Sequence, residues 1–310
     1  MSADSKSSVR IDGRSMAFVS RGTGDPIVLL HGNPTSSYVW RHVIDEVAAH
    51  GRCLAPDLLG MGDSEKLADS GPTSYTLAQH RDALDAWFDA VGATERVTLV
   101  GHDWGSGLGF DWAYRHPDAV RGIAYLEAIV APMTWADLPP PAAELLKALR
   151  SPAGEQMILE QNLFIEALLP SGVLTPLEPD VLDEYRRPYL QEGESRRPTL
   201  SWARQIPLDG EPAEVDRIVR QYSSWMARND IPKLFINGDP GMVLVGRARD
   251  LCRTWPNQTE VTVPGLHFLQ EDSGQKIGHA IGEWLRTIVG ALNGNRADAL
   301  SVAISRPRSQ

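Results

Sequence analysis

Short runs of β-branched and other apolar residues alternate with longer stretches of helical spacing along most of the chain, and this alternation sets the fold class. Residues 9–12 and 16–20 predict a hairpin closed by Gly13, and 26–31 is a near-continuous apolar run of the kind a buried parallel strand shows. Helix is predicted at 39–49, strand at 53–56, and helix again at 77–91, where Leu77, Leu84, Trp87, Phe88 and Val91 recur at helical intervals. Strand 96–101, helix 108–114 and strand 120–126 continue the series, which implies a parallel sheet with helices on both faces. The alternation stops after Glu127. Pro132, Pro139, Pro140 and Pro141 punctuate a region rich in helix formers at 144–150, 156–169 and 179–185. The sheet pattern then resumes with helix 212–227, strand 233–236, helix 245–255, strand 260–263 and helix 277–288. Residues 128–209 are therefore read as an inserted helical cap that splits one α/β core into 1–127 and 210–290. Residues 291–310, with Arg296, Arg306 and Arg308, form a polar tail expected to be flexible.

Composition narrows the partners. The chain is 42% hydrophobic and 23% charged, as in an ordinary globular domain, and its 30 basic against 40 acidic side chains give 30 − 40 = −10. That charge, with no basic cluster before the extreme C-terminus, works against a nucleic-acid partner. Cys53 and Cys252 are too few and too far apart in sequence for a disulfide framework or a zinc site, and are read as reduced core residues. No stretch approaches the roughly 20 apolar residues that span a bilayer, since Glu127 interrupts 122–133. The polar start, residues 1–9, does not resemble a signal peptide, so no membrane association and a cytoplasmic location are expected.

The chemistry concentrates at Gly101-His102-Asp103-Trp104-Gly105, directly after a predicted strand and opening a helix. This is the spacing of a nucleophile elbow with Asp in place of the usual Ser. A serine that attacked a saturated carbon would leave a stable ether, whereas a carboxylate leaves an ester that water can cleave. The spacing therefore predicts an sp3 electrophile as substrate, with Asp103 as nucleophile, ionised without a base provided the helix N-terminus offsets its burial. A histidine is then free to activate water. His267, in Gly265-Leu266-His267-Phe268 after the final strand, is the best placed of the eight; His31, His102 and His279 are assigned to structure or surface. Glu127, at the end of an apolar strand, needs a partner, and orienting His267 would supply one. Asp239, after the next strand, competes for that role; Glu127 is favoured. His31-Gly32-Asn33-Pro34 follows the 26–31 strand, where one oxyanion-hole N–H is expected, the second coming from Trp104. The Asn33 amide and the Trp104 indole N–H would add two neutral donors, a pair that suits a halide.

These residues resemble the haloalkane dehalogenases of the α/β-hydrolase superfamily, with closest similarity to the subgroup that includes the hexachlorocyclohexane-pathway dehalogenase. The likeness runs from about Arg10 to Leu285. It rests on HGNPTSSYVW (31–40), PDLLGMGDS (56–64), GHDWGS (101–106), LEAI (126–129), RRPTLSW (196–202), IPKLFIN (231–237), RTWPNQTE (253–260) and HFLQEDS (267–273). The resemblance implies an α/β-hydrolase fold with a mostly parallel eight-stranded sheet and a helical cap. It implies Asp103, His267 and Glu127 as nucleophile, base and acid, and Asn33 with Trp104 as halide ligands. It also implies an apolar pocket of Phe164, Leu168, Trp202, Ile206 and Val243, a small apolar halogenated substrate, and no metal or organic cofactor. Ala203 stands where close relatives carry Pro, and Gly172 where a bulkier residue is usual, the latter suggesting a wider tunnel mouth. Three rivals use similar parts. Epoxide hydrolases share the aspartate elbow but need two cap tyrosines, for which Tyr185 and Tyr189 are the candidates. A coelenterazine-type luciferase shares the whole constellation. A non-catalytic α/β-hydrolase would be expected to have lost part of it.

Overall fold

The computed structural model describes the backbone of residues 6–304 and the side chains as far as Ile288. Eight strands form one sheet: β1 Ser7–Ile11, β2 Arg14–Arg21, β3 Pro26–Leu30, β4 Arg52–Pro56, β5 Val97–Asp103, β6 Val120–Ala128, β7 Lys233–Pro240 and β8 Gln258–Gly265. Their spatial order is β1-β2-β4-β3-β5-β6-β7-β8. β2 runs antiparallel to β1 and to β4, and the other pairs are parallel. Among the described residues the α-helices are α1 Arg41–Val47, α2 Leu77–Val91, α3 Trp104–Arg115, α4 Pro140–Arg150, α5 Ala153–Glu155, α6 Leu169–Ser171, α7 Pro179–Arg186, α8 Arg197–Gln205, α9 Ala213–Met226, α10 Gly246–Cys252 and α11 Leu269–Ile304. The 77–91 helix has the predicted ends because Thr76 and Gln79 make a reciprocal capping box and Gly92 closes the helix at φ 68°.

The continuous apolar strands are explained by what covers them. Val28 and Leu30 face one core with Leu99, Phe88, Phe110 and Tyr222, whereas Ile27 and Leu29 face a second core with Val43, Ile44, Ile281 and Leu285. Because successive strand residues point to opposite faces, a strand packed on both sides must be apolar at every position. The free cysteines Cys53 and Cys252 are buried in these cores.

Between β6 and α9 the structure is helical, apart from connecting turns and a β-bridge at Met133, with a small apolar cluster of its own formed by Leu149, Ile158, Leu159, Leu200 and Ala203. The predicted helix 156–169 is not continuous. It is two π-helical turns, Gln156–Glu160 and Phe164–Leu168, separated at Asn162, whose φ of 52° is left-handed, a conformation Asn tolerates. α8 carries no expectation from hydrophobic spacing, although Pro198 suits a helix start. It is hydrogen-bonded to the core at two points. Gln205 Oε1 accepts from the Leu77 N–H at 3.0 Å, and Ser201 Oγ donates to the Ser74 carbonyl at 2.7 Å. The last helix extends well past residue 288, with non-helical backbone at Ser273, and its backbone is helical to Ile304; Arg306 and Arg308 of the expected flexible tail lie outside the described residues. No helix among the described residues is long and apolar enough to cross a membrane.

Candidate active site

β5 ends at Asp103 and α3 begins at Trp104, so the carboxylate stands at a helix N-terminus at the carboxyl edge of the sheet. Asp103 has φ 51° and ψ −127°, a strained conformation for a side-chain-bearing residue. The flanking glycines permit it by close approach: a Cβ on Gly105 would lie 2.1 Å from the Leu30 carbonyl oxygen, and one on Gly101 2.5 Å from Ser106 Cα. Ser106 Oγ donates to the Asp103 carbonyl and accepts from the Ile129 N–H at 3.0 Å, which ties the elbow to the end of β6.

The Asn33 N–H donates to Asp103 Oδ1 at 2.8 Å. Burial pushes the Asp103 carboxyl above the ordinary carboxylate value, against the opposing effects of His267 and of the Trp104 and Asn33 N–H groups. The helix terminus and its donors thus offset the desolvation only in part. His267 Nε2 lies 3.7 Å from Asp103 Oδ2, and His267 Nδ1 lies 3.5 Å from Glu127 Oε2. Burial acts to lower the His267 pKa, but contact with Glu127 and the charges of Asp103 and Glu127 outweigh it and leave the imidazole more basic than usual.

Glu127 reaches His267 through a bulge. In the β5–β6 register His102 pairs with Leu126 and Asp103 with Ala128, so Glu127 is the extra residue, at φ 41°. A bulge re-aims a side chain that simple alternation would send elsewhere. The carboxylate is fully buried and accepts three backbone N–H groups, from Met242 at 3.0 Å, Val243 at 2.6 Å and Leu244 at 3.3 Å. Asp239 is exposed at the end of β7. His102, assigned to structure, is buried and bonds through Nε2 to the His267 carbonyl at 2.9 Å, its ring 4.7 Å from that of His267.

A cavity of about 240 Å³ opens over Asp103 and His267. Asn33, Trp104, Phe164, Leu168, Ile206 and Val243 line it. Trp202, expected in the pocket wall, is not among the lining residues: it is fully buried and stacked on Trp104 at 4.7 Å. The sequence reading missed Leu145, Leu146 and Leu149 of α4 and Met242 and Phe268, which also line the cavity. The three leucines share one helix face, a usable signal, whereas nothing in the sequence marks Met242. Tyr185 and Tyr189 do not line the cavity; the Tyr185 hydroxyl is engaged with Glu271. A larger polar cleft of about 480 Å³ beside the β1–β2 hairpin contains none of the candidate residues.

Both neutral donors touch α8. Asn33 Nδ2 donates to the Thr199 carbonyl and Trp104 Nε1 to the Trp202 carbonyl, each at 3.1 Å. The Asn33 amide keeps a second hydrogen for another acceptor. The indole has only one, so any anion in the cavity must share it with the Trp202 carbonyl or take it over.

Gly172 also has a backbone role. Its carbonyl accepts the N–H groups of His267 at 3.0 Å and Phe268 at 2.9 Å, and a Cβ there would meet the Phe268 ring at 2.8 Å. Its φ of −95° is open to any residue, so left-handed backbone is not the reason for glycine. Gly172→Leu should therefore slow turnover of small and bulky substrates alike, by displacing Phe268 and its neighbour His267. A loss confined to bulky substrates would show that the side chain acts only on the tunnel mouth.

A family model described as the alpha/beta hydrolase fold matches residues 25–274. A haloalkane dehalogenase of Sphingobium indicum is 54% identical over 283 residues, covering 91% of this chain and 96% of the relative. The coelenterazine h 2-monooxygenase of Renilla reniformis is 40% identical over 265 residues, covering 85% of this chain and 84% of the relative. The crystal structure of a haloalkane dehalogenase from Bradyrhizobium elkani superposes with a TM-score of 0.86 at 37% identity, covering 93% of this chain and 99% of that one.

Proposed function

The chain belongs to the haloalkane dehalogenases of the α/β-hydrolase family, hydrolases acting on carbon–halide bonds, and from that premise we propose that it works through a covalent alkyl-aspartate ester. The supporting observation is that His267 stands between Asp103 and Glu127, one ring nitrogen 3.7 Å from the first carboxylate and the other 3.5 Å from the second, with Asp103 facing an apolar cavity.

In the first step Asp103 displaces halide in line from a bound alkyl halide, forming the ester C–O bond as the carbon–halogen bond breaks. Asn33 Nδ2 and Trp104 Nε1 bind the departing halide, the indole drawing on the hydrogen it otherwise gives the Trp202 carbonyl. In the second step His267, held by Glu127, takes a proton from water, and the water oxygen attacks the Asp103 carboxyl carbon. The backbone N–H groups of Asn33 and Trp104 stabilise the tetrahedral oxyanion. Alcohol leaves, Asp103 is regenerated as a carboxylate, and halide and a proton are released. Residues 128–209 act as the cap that closes the cavity on the substrate, the core being 1–127 and 210–290. Enzyme and chemistry are assigned to the cytoplasm, without a nucleic-acid partner or cofactor.

The test sets 1-bromobutane, 1,2-dibromoethane and styrene oxide side by side. Halide and alcohol from the bromides, with iodides and bromides faster than matching chlorides, are expected if carbon–halogen cleavage limits turnover. Diol from the oxide without halide from the bromides would replace this reading with an epoxide hydrolase. Light from coelenterazine, the substrate class in the name of the Renilla relative, would establish a second activity at the same residues.

A further inference from the structure

The Glu127 carboxylate is held by a loop, and the loop is held by a residue that no motif picks out. Met242, Val243 and Leu244 turn three consecutive backbone N–H groups onto Glu127. Consecutive residues in a connecting loop have no intrinsic preference for such convergence. The half-buried Arg249, one turn into α10, supplies a constraint. Its Nη2 donates to the carbonyls of Gly238 and Pro240, and its Nε to the carbonyl of Leu244, each at 2.9 Å. The guanidinium thus pins both ends of the 238–244 segment through a planar, multidentate grip that a lysine cannot reproduce. Gly241 lies at the middle of the segment with φ 74°, and a Cβ there would be 3.0 Å from Arg249 Nη2 and 3.2 Å from Glu127 Oε1. Guanidinium and carboxylate therefore close on the same glycine, one holding the loop's carbonyls and the other its N–H groups.

We propose that Arg249 is a positioning residue for hydrolysis of the ester, because by fixing the 238, 240 and 244 carbonyls it aims the 242–244 N–H groups at Glu127 and so fixes the carboxylate that orients His267. The inference rests on Glu127 being the partner of His267. Without the three donors Glu127 would be a fully buried carboxylate on a strained bulge with only the imidazole to face, and nothing would hold it against His267. Alkylation by Asp103 uses neither group and should persist.

The experiment compares Arg249→Met, Arg249→Lys, Glu127→Gln and the Arg249→Met/Glu127→Gln double variant, using rapid-quench bromide release from 1-bromobutane and intact-protein mass. Arg249→Met is expected to give a full first burst of bromide at near wild-type rate, then ester hydrolysis slowed about ten- to a hundredfold by misplacement of the base, with butylated protein accumulating. Arg249→Lys should fall between Arg249→Met and wild type, and the double variant should be no slower than Glu127→Gln alone. Burst amplitude counts folded sites, so a folding defect lowers the amplitude and leaves the later rate constant intact; that result would overturn the proposal. Normal hydrolysis in Arg249→Met beside a slow Glu127→Gln would also overturn it, leaving Arg249 a mere staple of the loop. Normal hydrolysis in both would instead remove Glu127 from its role.

Discussion

Replacing His267 by Gln is expected to turn a catalyst into a reagent that reacts once. In the proposed mechanism the nucleophile and the base act in different steps: Asp103 attacks as a carboxylate, and only the water that cleaves the ester needs His267. Loss of a positioned general base should cost about 10²–10⁴ in the hydrolytic step. Mixed with excess 1-bromobutane, the variant should release one equivalent of bromide per active site and then stall. Alkylation will not be wholly indifferent to the change. The charge of His267 lowers the Asp103 carboxyl pKa against the effect of burial, so without it the carboxyl pKa rises further. The sign follows: alkylation in the variant should be lost, as pH falls, at a higher pH than in the wild type, and the burst is best measured on the alkaline side of neutrality. Multiple turnovers at an undiminished rate would dismiss His267 as the base.

Asn33→Ala and Trp104→Phe should each remove one of the proposed halide donors, with a loss on the order of 10²–10³ in turnover, the range measured for single donors to a developing anion. The loss should be largest for chlorides, whose departure needs the most help, and smallest for iodides. Both variants should also lose stability. Trp104→Phe leaves the Trp202 carbonyl without its indole partner at a buried position, which costs about 1–3 kcal/mol of folding free energy, so its Tm should fall. Asn33→Ala similarly releases the Thr199 carbonyl. Halide affinity, followed by quenching of tryptophan fluorescence, should weaken in both variants. Equal losses for chloride and iodide substrates would mean that these residues only hold α8 in place.

The sequence made some parts of this site readable and concealed others for physical reasons. The elbow was readable because a strand-to-helix turn with Asp at its apex requires glycines at fixed offsets, where Leu30 and Ser106 come too close for a side chain. The sheet was readable because strands packed on both faces are apolar throughout. Glu127 was proposed from its chemistry, a carboxylate in an apolar strand needing a partner, and it lies beside His267, but the bulge that aims it leaves no mark in the periodicity. The N–H groups of Met242, Val243 and Leu244 and the grip of Arg249 were hidden because backbone donors carry no residue identity. α8 was hidden for a different reason: its nine residues begin with a proline near the start and mix polar and apolar positions. Trp202 was placed in the pocket wall by resemblance, whereas it acts behind the wall, with its ring stacked on Trp104 and its carbonyl on the Trp104 indole.

The central claim is that a covalent bond forms at Asp103, and the stalled His267→Gln variant allows that bond to be located directly. After reaction with 1-bromobutane the intact protein should gain one butyl group, and proteolysis with tandem mass spectrometry should place it on the Asp103 side chain. A butyl group on any other residue, or bromide release with no gain in protein mass, would contradict the account.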